Sequence, residues 1–169
     1  MKKIEGRVLK YGDNINTDII SPPQYMELDI PQAAVHAMEV LDSGFSSRVK
    51  PGDILVAGKN FGSGSSRETS PLTLKYLGVG AIVAEFFARI FYRNAINVGI
   101  PVVECSKACR IRESDRIQLD LENGIIYNLS RQEQYECSRL PDHIMEIIEK
   151  GGLKNFLAEQ FREMKDERI

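Results

Sequence analysis

Three short apolar runs, each set off by turn residues, constrain this chain most: Asp53 to Ala57 behind Pro51-Gly52, Ala81 to Ala84 behind Gly78-Val79-Gly80, and Ile100 to Glu104 behind Gly99. Continuous runs of this length, without polar alternation, predict strands buried on both faces. The intervals between them hold Thr69 to Leu77 and Phe87 to Val98, long enough for helical crossovers. Helical crossovers of that kind join parallel strands with right-handed connections. The middle of the chain therefore predicts an α/β fold with a parallel sheet.

Later residues change character. Arg116 to Leu121 and Ile125 to Leu129 flank Glu122-Asn123-Gly124, a turn signal that predicts an antiparallel hairpin. Asp142 to Lys150 carries Ile144, Ile147 and Ile148 at helical spacing and meets Gly151-Gly152, which predicts an amphipathic helix and its stop. A second helix is expected from Leu153 to about Lys165, with the charged residues Arg162 to Ile169 frayed and solvated.

The length of 169 residues predicts one domain over 1–169. With 22 basic and 24 acidic residues the formal charge is -2, which offers no electrostatic basis for a general nucleic-acid or membrane-surface binder. No apolar stretch approaches a membrane span, and MKKIEGRVLK has no apolar segment behind its lysines, so a cytoplasmic location is expected. Cys105, Cys109 and Cys137 are odd in number and form no CxxC pair, which predicts neither a disulfide framework nor a metal site in this chain. His36 and His143 have no partner at metal spacing and read as structural.

The segment with chemical content is Gly58-Lys59-Asn60-Phe61-Gly62-Ser63-Gly64-Ser65-Ser66-Arg67-Glu68, between a buried strand and a helix. Glycines at 58, 62 and 64 are expected to take positive φ and let a ligand approach the backbone, with free N–H groups aimed at an anion. Arg67 adds a planar donor suited to a carboxylate. Two helix starts compete: the Ser65/Glu68 capping-box spacing and Ser70-Pro71. Neither GxxxxGK[ST] nor GxGxxG is present, so a nucleotide phosphate is disfavoured.

FGSGSSRE, followed by AEFFARIFYRNAINVGIP, resembles the signature of the aconitase-family swivel domain. The resemblance is to the small subunits of 3-isopropylmalate dehydratase and its homoaconitase and 2,3-dimethylmalate dehydratase relatives. It runs from GRVLKYGDNINTD through VKPGDILVAGKNFGSGSSRE to LPDHIMEIIEKGGL, nearly the whole chain. It implies a swivelling three-layer β/β/α domain with a central parallel sheet and additional antiparallel strands. By the same resemblance Ser65 is the serine whose alkoxide abstracts the proton beside a substrate carboxylate. Asp18, of the Thr17-Asp18 pair, is counted with the catalytic residues and supports Arg67 or the serine. Ser66, Arg67, Ser63 and Gly64 bind substrate, and Gln24, Tyr25 and Met26 lie where relatives read its γ-substituent. The resemblance further implies a four-iron four-sulfur cluster on a large partner subunit, none on this chain, and a chain inactive alone. A small di- or tricarboxylic hydroxy acid is the implied substrate, 3-isopropylmalate on the route to leucine in the leading case. A homodimer of the isolated chain through the surface meant for its partner is also allowed.

Two positions depart from the family pattern. Relatives carry Arg or Lys shortly after the Thr-Asp pair where this chain has Gln24, and His after SSRE where it has Thr69-Ser70. Without that cation, Met26 and Leu28 suit a small alkyl group better than the extra carboxylate of a homoaconitase substrate, unless Arg7 or Arg48 reaches in. Arg89, Arg93 and Asn94 are read as a helix face salt-bridged to the protein or to the partner. A carboxylate-binding or assembly module without catalysis is the alternative of another class, and RNA binding lacks a basic surface.

Overall fold

The computed structural model describes residues 3–167. Seven strands, β1 (Lys3–Lys10), β2 (Ile54–Val56), β3 (Ala81–Ala84), β4 (Val102–Glu104), β5 (Arg116–Asp120), β6 (Ile125–Asn128) and β7 (Glu133–Glu136), follow the order β4-β3-β2-β1-β5-β6-β7. The helices are α1 (Thr17–Ile20), α2 (Ile30–Ala34), α3 (Phe45–Arg48), α4 (Thr69–Tyr76), α5 (Arg89–Val98), α6 (Asp142–Glu149) and α7 (Leu153–Asp166).

The three apolar runs form parallel neighbours, with Leu55 opposite Ile82 and Val83 opposite Val103. Every residue of β2 and β3 is buried, as strands covered on both faces require. One face, with Leu55, Ile82 and Val102, packs in a core with Leu74, Phe91 and Ala95 of the helices. The other, with Ile54, Val83 and Val103, meets Ile117, Leu119, Ile126 and Tyr135 of the antiparallel strands. These two cores separate helices, parallel strands and antiparallel strands into the expected β/β/α layers. Each fully buried Leu, Ile or Phe in them contributes about 1.5–3 kcal/mol.

One strand joins the two sheets. β1 pairs antiparallel with β5 from Lys3 to Arg7, then parallel with β2 from Val8 to Lys10. Its Lys and Glu side chains sit on exposed or half-buried positions while Val8 and Leu9 are buried, and the charges hid it from periodicity. The β5–β6 hairpin forms with Asp120 opposite Ile125 and Gly124 at φ 69, as the Asn-Gly pair predicts. Edge strand β7 buries only Tyr135 and carried no strand signal.

Three local expectations change. α4 begins at neither anticipated cap: Glu68 stands before it in helical geometry without a side-chain cap, and Ser65 lies a full turn upstream. Pro71 falls in the first turn, where its missing N–H costs nothing. α7 continues through Asp166 instead of fraying from Arg162; Arg168 and Ile169 lie outside the described residues. Gly58 does not take positive φ; Asn60, at φ 59, does.

Candidate active site

The loop between β2 and α4 is laced to the segment after β1. Gly58 N–H donates to Gly12 O at 3.0 Å, Asn14 to Lys59 O at 2.8 Å, Gly62 to Ile15 O at 2.7 Å, and Thr17 to Ser63 O at 2.8 Å. Phe61 N–H donates to Phe86 O at 3.2 Å on the other side. Gly58 is needed for approach: a Cβ there would stand 1.9 Å from Asp13 Oδ1, which accepts from Lys59 N–H at 2.8 Å. Gly62 meets both demands, with φ 81 and a Cβ position 2.2 Å from the Phe91 ring.

The lacing stops at Ser63. Among the described residues no hydrogen bond engages the backbone N–H groups of Gly64, Ser65, Ser66 or Arg67, and Ser65 Oγ is exposed and unbonded. A turn with φ 97 at Gly64 and free N–H groups ahead of α4 is what an anion site needs. Ser63, by contrast, serves as scaffold, since its carbonyl accepts from the Thr17 N–H.

Arg67 is folded inward, 15% exposed, and its Nη1 meets Asp18 Oδ1 at 2.8 Å and Ser21 O at 3.2 Å. Asp18 sits in the first turn of α1, which Asn16 caps by accepting from Ile19 N–H at 2.9 Å. With Asp18 57% exposed, this pair adds little stability; its consequence is the fixed direction of the guanidinium. The structure therefore brings together Asp18, Gly64, Ser65, Ser66 and Arg67. Asn94 of α5, absent from the predicted site, reaches Ser66 with Nδ2 to Oγ at 3.5 Å.

Gln24, Tyr25 and Met26 lie on the turn after α1. Ser21, Pro22, Tyr25, Met26, Leu28, Ala33 and Thr69 line a small cleft there, and none of them is charged. Gln24 is exposed and does not line this cleft. Tyr25 is fixed by a residue that sequence spacing could not connect to it: His36 stacks on its ring at 3.6 Å, 9° from parallel, and pairs through Nδ1 with Glu39 Oε2 at 2.8 Å. His36 is thus structural, as expected. A hydrogen bond to Glu39 also raises the Tyr25 phenol pKa.

The distant arginines are occupied. Arg7 Nη2 meets Asp53 Oδ2 at 2.5 Å, and Arg48 binds Asp42 and, at 2.9 Å, Glu113. Arg89 and Arg93 make no ion pair among the described residues, which leaves the partner as the expected counterpart of this helix face; they border a cleft with Glu104. The cysteines do not assemble a cluster site. Cys105 is buried, Cys109 exposed, and burial pushes the Cys137 thiol up to about 12. No group of three His, Cys, Asp or Glu among the described residues is placed to hold a metal ion, so these residues do not fit an iron–sulfur cluster. No described helix is long and apolar enough to cross a membrane.

A profile of the aconitase C-terminal domain matches residues 2–108, more than half of the chain. The chain belongs to the aconitase C-terminal domain family. Within this family it is 49% identical over 166 residues to the 3-isopropylmalate dehydratase small subunit of Nautilia profundicola, covering 98% of this chain and 100% of the relative. It is 51% identical to the 3-isopropylmalate dehydratase small subunit of Halothermothrix orenii over 153 residues, 89% of this chain and 93% of that one. The crystal structure of 3-isopropylmalate dehydratase (leuD) from Methanocaldococcus jannaschii superposes with a TM-score of 0.92 at 38% identity, covering 98% of this chain and 99% of that one.

Proposed function

We propose that this chain is the small subunit of 3-isopropylmalate dehydratase, the hydro-lyase that interconverts 2- and 3-isopropylmalate by dehydration and rehydration on the route to leucine. The observation that carries the reading is near-full-length likeness to relatives of that name, in a chain whose Ser65-Ser66-Arg67 turn is open and whose arginine is pre-aimed.

Each residue then has a physical task. A serine hydroxyl is a poor base, and its alkoxide persists only where donors and cations stabilise it. The free N–H groups of the turn, the start of α4 and Arg67 supply that field. Arg67 and Ser66 hold the substrate carboxylate, Asp18 keeps Arg67 in place, and Ser65 removes the proton from the adjacent carbon. The described residues offer no ligand set for an iron–sulfur cluster; a four-iron four-sulfur cluster on a large partner subunit would supply the Lewis acid for departure of hydroxide.

Met26 and Leu28, exposed and uncharged, offer the apolar surface against which the alkyl group lies. With Arg7 and Arg48 tied to their own carboxylates, neither is free to meet a third substrate carboxylate there. Isopropylmalate is therefore favoured over homocitrate, while 2,3-dimethylmalate also fits this chemistry.

The test is reconstitution with a 3-isopropylmalate dehydratase large subunit, under anaerobic conditions with iron and sulfide, against 3-isopropylmalate, 2,3-dimethylmalate and homocitrate. Preference for 3-isopropylmalate is the expected result. Preference for homocitrate would overturn the apolar-surface assignment, and failure to form any complex would favour a non-catalytic assembly module.

A further inference from the structure

Beneath the catalytic turn lies a hydroxyl that the fold does not use. Thr17 is 2% exposed; its N–H is spent on Ser63 O and its carbonyl accepts from Ser21 N–H, both at 2.8 Å. Its Oγ1 is buried without a hydrogen-bond partner among the described residues. A Cβ built on Gly64 would lie 3.1 Å from that oxygen, so the hydroxyl faces the α-carbon of the residue before Ser65.

A buried hydroxyl without a partner is costly, whereas an apolar group of the same shape at the same place would be nearly free. Threonine here is therefore explained by a state in which the donor is used. The peptide that could turn an acceptor toward it is that of Gly64, whose α-carbon the hydroxyl faces. Because a trans peptide points its C=O and N–H in opposite directions, turning the Gly64 carbonyl inward turns the Ser65 N–H outward. Glycine at φ 97 can make that turn without a side chain striking Thr17.

We propose that Thr17 is a positioning residue for the catalytic turn: its hydroxyl donates to the Gly64 carbonyl as the substrate proton is removed, holding the Ser65 N–H toward the carboxylate oxygens on which negative charge then builds. This rests on the reading of Ser65 as the base. Arg67 still binds substrate without it, so the loss falls on turnover and not on binding.

The experiment compares Thr17→Val, Thr17→Ser and Ser65→Ala in the reconstituted complex, with thermal unfolding of each isolated subunit. For Thr17→Val, kcat falls about 10- to 100-fold with KM within about twofold, as loss of aligned backbone donors predicts. Its Tm is unchanged or higher, because an unpaired buried hydroxyl has gone; a merely structural hydroxyl would lower it. Thr17→Ser recovers kcat to within about threefold of native, since its donor remains. Native turnover in Thr17→Val, or a parallel fall of Tm and kcat that Thr17→Ser does not reverse, overturns the proposal. If Ser65→Ala is inactive while Thr17→Val is native-like, only the Thr17 role fails. If Ser65→Ala itself turns over normally, the underlying reading fails.

Discussion

Gly62→Ala is a sharp test of how the glycine loop is seated, because two separable costs meet at that residue. The backbone stands at φ 81, where an alanine costs about 1–2 kcal/mol more than glycine. The new Cβ would also lie 2.2 Å from Phe91 Cγ and 2.3 Å from its Cβ. Phe91 cannot retreat easily, being 2% exposed and set edge-on against Phe61 with ring centroids 5.1 Å apart. Forcing such a contact in a packed core adds about 1–3 kcal/mol. The combined loss is about 2–5 kcal/mol, and at about 2–4 °C per kcal/mol a 3 kcal/mol loss lowers Tm by roughly 6–12 °C. Gly52→Ala is the control, with φ 89 and nothing within 4 Å of its Cβ, so it carries the backbone cost alone. Urea unfolding of both variants isolates the packing cost as their difference. If the two agree within about 0.5 kcal/mol, the contact between the loop and α5 is not the constraint described.

Three further outcomes are expected. Arg67→Lys in the reconstituted enzyme lowers kcat/KM for 3-isopropylmalate about 10- to 100-fold, since a point charge replaces a planar fork that also anchors to Asp18 and Ser21 O. With burial pushing Cys137 up to about 12 and Cys105 upward as well, iodoacetamide at pH 8 should modify Cys109 quickly and the other two only on unfolding, read by intact mass. Hydrogen bonds from Asn123 hold the Asp120 carboxyl below its usual range, so their stabilisation is complete above the unfolded value of about 3.9 and fades as pH falls through the folded one. The stability gap between native protein and Asn123→Ala should accordingly narrow between pH 6 and pH 3 in urea unfolding; a constant gap would contradict the assignment.

The sequence made the parallel strands legible because burial on both faces leaves an unbroken apolar run, as in Ala81 to Ala84. It concealed β1 for the opposite reason: that strand divides itself between two sheets and lines its open side with Lys3, Glu5 and Arg7. The glycine loop was legible as a place for close approach, but the cause differs at each residue. Asp13 crowds Gly58, whereas Phe91 crowds Gly62, and neither neighbour follows from composition. Likewise Arg67 was a recognisable carboxylate donor, yet its pairing with Asp18 across the loop came only from family likeness. His36 under Tyr25 left no signal, because a stacking contact between two turns has no sequence period.

The central claim is that Ser65 is the base, and the most direct measurement follows the proton. The reconstituted complex, with native chain or with Ser65→Ala, is incubated with 3-isopropylmalate in deuterated solvent, and deuterium in the recovered substrate and product is counted by mass spectrometry. The account predicts exchange and interconversion with the native chain, and loss of both in the variant by about 1,000-fold or more while substrate still binds. Exchange at the native rate in Ser65→Ala would place the base elsewhere and contradict the account.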